Sequence, residues 1–291
     1  MSNQEYKMTI SKSEIIRIHQ EEYMNGISTT KLGKKYEVSS AYFSRWFKKL
    51  GLPVRNNSDK SRKYVFNENV FEKIDTEEKA YWLGFLYADG YIMSRRKNGN
   101  PKVGITLSVN DIGHLEKFRK FVSGDMPIKI YKPSKSGYEG SGDYCRILIT
   151  SEKMASDLIR HGVLEHKTNV LKPPKLPPTF IKHFIRGYYD GDGSIWCQSN
   201  KSGKDTQYSV GFVGTKDMLE FIQQELMSRR ILTREYPMSR RRPDSDVLQW
   251  KFGGNNIVID YLMYLYSDAS VYLERKLRKA DGLKTLAYSR L

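Results

Sequence analysis

The sequence predicts an α+β protein in which a small all-α module precedes two pseudo-symmetric α-β-β-α-β-β-α repeats. Three observations carry this. The apolar stretches AYWLGFLYADGYI (80–92) and FIRGYYDGDGSI (184–195) share a glycine, a small residue four positions on and a closing Asp-Gly, all at one offset of 103 residues. The same order of strand-like and helix-like patterns follows each copy, the signature of an internal duplication. The residues before about 50 read instead as short helices.

The N-terminal module spans 1–58. SKSEIIRIHQEEYMNG carries Ile15, Ile16, Ile18 and Tyr23 near helical spacing and stops at Gly26. Ser28 and Ser39 are each placed to cap a further helix, with Leu32, Tyr36 and Val38 facing inward between them. Phe43 and Phe47, four apart, form the core stripe of the second of these helices. Two short helices joined by a tight turn resemble a helix-turn-helix, whose second helix would present Ser40, Tyr42, Ser44, Arg45, Lys48 and Lys49 outward. Residues 1–63 hold thirteen basic and six acidic residues, a net +7.

A polar linker is expected over 59–78, repeat 1 over 79–166, a linker with prolines at 173, 174, 177 and 178 over 167–183, and repeat 2 over 184–291. In each repeat the motif is followed by a strand pair (VGITLSV; YSVGFVG), a helix opened by an aspartate (DIGHLEKFRKFV; DMLEFIQQELMS), two more strands and a last helix (SEKMASDLIRHG; NIVIDYLMYLYS).

A helix that is apolar all round must be buried, and two equivalent ones can bury each other. Gly84 and Ala88 in one, Gly187 and Gly191 in the other, would let the backbones approach closely. Asp89 and Asp192 then arrive together at one end. Both suffer mutual repulsion and an unfavourable helix dipole, and a divalent cation would offset both. Oxygen-only ligands favour Mg²⁺, with Mn²⁺ as a substitute. A lone Asp-Gly is ordinarily a turn, but a turn does not explain the same acid ending two apolar helices. An EF-hand reading of DGDGSI fails, because its first and twelfth loop positions would be Tyr188 and Ser199.

The two nine-residue matches WLGFLYADG (82–90) and IRGYYDGDG (185–193) resemble the LAGLIDADG motif of homing endonucleases, over roughly 80–280. The resemblance implies a DNA-binding saddle of two sheets and metal-dependent cleavage of both strands of duplex DNA across the minor groove. It implies that the last acid of each motif, Asp89 and Asp192, binds catalytic metal. The earlier motif acid is present as Asp190 but is Tyr87 in the first copy, so it is secondary. By the same resemblance Lys167 and Lys276, 109 residues apart, are catalytic candidates beside the scissile phosphate.

The whole-chain properties agree. Lys and Arg outnumber Asp and Glu by 49 to 33, a net charge of +16 that favours a polyanionic partner. Expected DNA contacts in repeat 1 are Arg95, Arg96, Lys97, Lys102, Lys129, Lys132 and Lys135. In repeat 2 they are Lys201, Lys204, Arg240, Arg241 and Arg242. A strand of about ten residues spans ~33 Å, about one turn of DNA. Because the halves differ in sequence, the expected partner is a long non-palindromic duplex bound by a monomer. A non-cleaving binder of the same fold is the alternative, either a transcription regulator or a maturase acting on its host intron RNA.

Two cysteines, Cys145 and Cys197, without a CxxC, argue against a zinc site or disulfide framework. No apolar run reaches the ~18 residues of a membrane span, so no membrane partner is expected. A reducing cytoplasmic setting such as a bacterial or phage-host nucleoid is expected, with an organellar one left open.

Overall fold

The structure is a computed structural model that describes residues 10–24, 27–54, 64–93, 100–132, 142–165, 170–199, 206–240 and 246–279. The chain divides into two compact units, Met1–Phe66 and Asn67–Leu291.

In the first unit, α1 (Lys12–Ile18) runs into a π-helical turn (His19–Tyr23) and is followed by α2 (Thr29–Lys35) and α3 (Ser40–Lys49). Ile15, Ile18, Tyr23, Leu32, Phe43 and Phe47 form its core. The Ser28 hydroxyl caps α2 by accepting from the Lys31 amide at 3.2 Å. Ser39 stands at the cap position of α3 without that side-chain bond. The turn between α2 and α3 is tight for two local reasons. A β-carbon at Gly33 would lie 2.7 Å from the Val38 carbonyl oxygen, and Glu37 adopts φ +53°.

The second unit contains the duplication in full. Repeat 1 is α4 (Glu77–Ala88), β1 (Gly90–Met93), β2 (Lys102–Ser108), α5 (Ile112–Phe121), β3 (Lys129–Tyr131), β4 (Tyr144–Thr150) and α6 (Glu152–Arg160). Repeat 2 is α7 (Pro178–Asp192), β5 (Ser194–Ser199), β6 (Thr206–Gly214), α8 (Lys216–Ser228), β7 (Met238–Arg240), β8 (Leu248–Gly253) and α9 (Asn255–Tyr266). Each repeat makes a four-stranded antiparallel sheet, in the orders β1-β2-β4-β3 and β5-β6-β8-β7. Helices cover one face of each sheet. Thus Val103, Ile105 and Leu107 of β2 are buried, while Lys102, Thr106 and Ser108 between them face outward.

The structure moves several expected boundaries. Within the stretch expected as a linker, residues from Asn67 onward join the larger unit, where Val70, Phe71 and Ile74 are buried, the Phe71 ring against Phe121 of α5 and its carbonyl bonded to His161 after α6. The Pro-rich linker also ends early, since Pro178 serves as the first residue of α7. Thr215, not Asp217, caps α8, its hydroxyl accepting from the Met218 amide. Asp111 sits at the cap of α5 but accepts from Arg275 instead. Among the described residues no strand reaches ten residues, β6 being nine.

The two repeats meet through α4 and α7. Eight consecutive residues are buried in each, Ala80–Tyr87 and His183–Asp190, again at the 103-residue offset. The backbones touch at reciprocal positions. A β-carbon at Gly84 would strike the Phe184 carbonyl and lie 2.9 Å from the Tyr188 nitrogen. One at Gly187 would strike the Tyr81 carbonyl and lie 2.7 Å from the Phe85 nitrogen. Gly84→Ala should therefore destabilise the fold by about 2 to 4 kcal/mol through overpacking against backbone. Gly113→Ala, in open space on α5, should instead stabilise it by roughly 0.5 kcal/mol. Paired thermal and urea denaturation of the two variants checks both signs.

Candidate active site

Crossing so close, α4 and α7 end side by side. Asp89 is the C-cap of α4, its amide donating to the Phe85 carbonyl at 2.9 Å. Asp192 is the last residue of α7 and is solvent-exposed. Gly191 rests on the Ala88 side chain, and a β-carbon there would lie 3.3 Å from Asp89 Oδ2. The Asp89 carboxylate thus lies against the backbone of α7 one residue before Asp192, and the four small residues expected to permit the approach line this crossing.

Lys276 is brought to the same end. It is 4 % exposed, its ammonium donates to the carbonyls of Tyr189 (3.2 Å) and Gly193, and it lies over the Tyr189 ring at 4.6 Å. Burial lowers its pKa to about 8, against the opposing pull of the Asp190 and Asp89 charges. Lys167 lies outside the described residues.

Asp190 is not at this end; it points into the core. Its fully buried carboxylate accepts from Tyr266 Oη (2.5 Å), Tyr81 Oη (2.7 Å) and the Leu273 amide (2.8 Å). Burial raises its pKa, while the two hydroxyls and the amide pull it down. Tyr87, its counterpart in repeat 1, donates to the His161 carbonyl at 2.6 Å. One turn back along α7, fully buried Arg186 donates to the carbonyls of Val271 and Leu265 and to Glu77 at 2.7 Å. Arg186 was not among the residues expected from sequence, although an arginine inside the buried run FIRGYY was its signal.

The end of the helix pair offers the carboxylates of Asp89 and Asp192, and among the described residues no group of three His, Cys, Asp or Glu gathers. Two carboxylates suit a hard divalent cation that keeps several waters, as Mg²⁺ does.

The outward face of the first sheet carries Lys102, Thr106 and Lys129 together with Arg146, Tyr131 and Tyr144. Arg146 donates to Thr106 at 3.2 Å and lies over Tyr131 at 5.1 Å. Sequence reading missed Arg146 although the alternation in YCRILIT marks it. The second sheet presents Gln207, Gln249, Lys251 and Ser239, with Trp196 lying over Gly211. Lys132 and Arg240 are exposed at strand ends. Arg95, Arg96, Lys97, Lys135, Lys201, Lys204, Arg241 and Arg242 lie outside the described residues. In the first unit Ser40, Ser44, Arg45, Lys48 and Lys49 are exposed on α3, but Tyr42 is half-buried against Phe43 and Trp46 because the short helix needs its ring for the core.

No protein-family profile matches the chain, and neither does any curated protein. Solved structures do. The LAGLIDADG homing endonuclease I-GzeII in complex with its DNA target superposes with a TM-score of 0.50 at 12 % identity, covering 72 % of this chain and 89 % of that one. I-LtrWI bound to target DNA gives 0.48 at 13 %, over 76 % and 90 %, and the meganuclease I-AabMI bound to uncleaved DNA gives 0.46 at 12 %, over 72 % and 88 %. The likeness to I-GzeII shows the fold, a two-sheet LAGLIDADG architecture. Among the described residues no helix is long and apolar enough to cross a membrane.

The buried network gives the fold a pH dependence. His114 Nε2 lies 3.0 Å from Tyr81 Oη, which itself donates to Asp190, so Nε2 carries a proton and donates it to that oxygen. Burial, then the charges of Lys117 and Arg275, lower its pKa to about 3. The folded pKa lies below the unfolded one, so the unfolded chain binds more protons between about 6.5 and 3, and stability falls as pH drops through that window. At pH 5 His114 alone should cost roughly 2 kcal/mol relative to pH 7. His114→Gln should flatten this part of the profile in urea titrations across pH 7 to 5.

Proposed function

We propose that the chain is a divalent-metal-dependent, site-specific endonuclease that breaks both strands of a long, non-palindromic DNA duplex as a monomer. The observation that carries the reading is the convergence of Asp89, Asp192 and Lys276 where the twin buried helices end. A folding role does not account for two acids placed at the unfavourable end of two apolar helices.

Asp89 and Asp192 would hold Mg²⁺, or Mn²⁺ in its place. When bound, the cation neutralises charge on the phosphate and lowers the pKa of a water. The residues of the chain supply the rest. Lys276, fixed on the carbonyls of Tyr189 and Gly193, sets a positive charge where the attacked phosphate gains negative charge. The outward faces of the two sheets offer Arg146, Lys102 and Lys129 on one side and Gln207, Gln249 and Lys251 on the other. Arginine and lysine suit guanine edges and phosphates, and glutamine suits adenine. The two faces differ, which is why the target should lack a palindrome.

The first unit adds a second DNA-binding element, a helix-turn-helix in which α3 enters the groove. Leu32, Gly33, Tyr36, Val38 and Phe43 support the assignment, with the small residue where the helices cross and the left-handed residue in the turn. Among the described residues α3 carries no acid, and its exposed side bears Arg45, Lys48 and Lys49.

With Mg²⁺ present, the wild-type protein should cleave a duplex selected from random sequence, and EDTA should stop cleavage. Asp89→Asn and Asp192→Asn should each lower double-strand cleavage by about a hundredfold or more with binding within threefold. Cleavage of both strands at the wild-type rate by either variant would reject the reading in favour of a non-cleaving binder. In the intact chain, replacing Arg45, Lys48 and Lys49 by alanine should reduce the salt slope of DNA binding by up to about 2.7, or ~0.9 for each phosphate that the chain no longer neutralises.

A further inference from the structure

The segment after α9 has to return across the domain interface before it can deliver Lys276, and it is tied down at every step. Lys182 pairs with Asp268 at 2.6 Å, Glu77 accepts from the Ser270 amide at 2.8 Å, and Arg186 donates to the Val271 carbonyl at 3.0 Å. The last tie is the innermost. Asp190 accepts from the Leu273 amide, and the Leu273 carbonyl in turn accepts from the Lys276 amide at 2.9 Å, so one helical turn separates the carboxylate's anchor from the lysine. Lys276 then closes the loop by donating to the carbonyls of Tyr189, just before Asp190 on α7, and Gly193, just past the end of that helix. The carboxylate itself is held by Tyr81 from repeat 1 and Tyr266 from repeat 2.

We propose that Asp190 is a positioning residue: it fixes the Leu273 amide, and through that turn sets Lys276 at the end of α7 where Asp89 and Asp192 converge. The catalytic significance rests on the function proposed above; the anchoring itself does not. Repeat 1 carries a tyrosine at the position of Asp190. There Tyr87, at the equivalent position of α4, donates to the carbonyl of His161, the C-cap of α6.

The test reads the position of Lys276 directly. Intact protein is labelled with an amine acetylating reagent, and mass spectrometry follows Lys276 against exposed Lys216. In parallel, maleimide labelling follows buried Cys145 against exposed Cys197 as a check on folding. In the wild type Lys276 should react at least about tenfold more slowly than Lys216, as burial of its amine requires. In Asp190→Asn its rate should approach that of Lys216 while Cys145 stays protected. An unchanged Lys276 rate in that folded variant overturns the proposal. Should Asp190→Asn also expose Cys145, Tyr266→Phe replaces it. This variant removes one donor from the carboxylate and should raise Lys276 labelling about threefold; no rise overturns the proposal.

Single-turnover cleavage of target DNA adds the catalytic arm. Asp190→Asn should be slower by about tenfold to a hundredfold with DNA affinity unchanged, the effect of misplacing a reacting group by an ångström. It should cause no further loss in a Lys276→Ala background. Additive losses would overturn action through the lysine. A wild-type protein that binds DNA but never cuts it would reject the endonuclease reading, while the labelling result would still decide the anchor.

Discussion

The contact of α4 with α7 at backbone distance is the constraint on which the rest of this structure depends. Glycine at 84 and 187, and small residues at 88 and 191, remove the side chains that would hold the helices apart. Everything at their C-terminal ends follows from that. The two sheets begin directly after the helices, at Gly90 and Ser194, so the crossing also sets where the sheets start. It places Asp89 against the backbone beside Asp192, and a wider crossing would separate the acids and open the interface that buries Asp190.

Burial at this interface is not purely apolar. Arg186, Asp190, Glu77 and His114 lie in or beside it; the first three are each satisfied by named partners from more than one element, and His114 meets Tyr81 through Nε2. Such groups are weak sources of stability, since desolvation offsets much of what the hydrogen bonds contribute. They are strong sources of register, because a one-turn slip of α7 or of the segment after α9 would leave a buried arginine and a buried carboxylate unpaired. These partners come from α4, α7, α9 and the segment that follows it, so the network is complete only in the register seen here.

The repeats share topology and register while differing in what they present. The first sheet shows arginine, lysine and tyrosine outward, and the second shows glutamine, serine, lysine and tryptophan. Both cover a strand glycine with a neighbouring aromatic ring, Tyr91 over Gly104 and Trp196 over Gly211, which shields the exposed backbone there. The framework is thus duplicated, and the outward positions are where the halves have diverged.

The sequence by itself determined the duplication, its α-β-β-α-β-β-α order, the helix pair and the place of Asp89 and Asp192 at its ends. These are encoded in local periodicity and in a repeated spacing, both of which survive in one dimension. It also marked the small residues of the crossing, because only close approach makes a buried helix interior keep glycine. The tertiary structure alone decided three things. It joined residues 67–76 to the larger unit, since polarity averaged over a stretch hides the three apolar residues that anchor it. It turned Asp190 away from Asp192, because 100° per residue sends side chains two apart on a helix toward different neighbours. And it bound Arg186, Glu77 and Asp190 to a segment some 80 to 190 residues away in the chain, pairings of charge and hydrogen bond that no local pattern records.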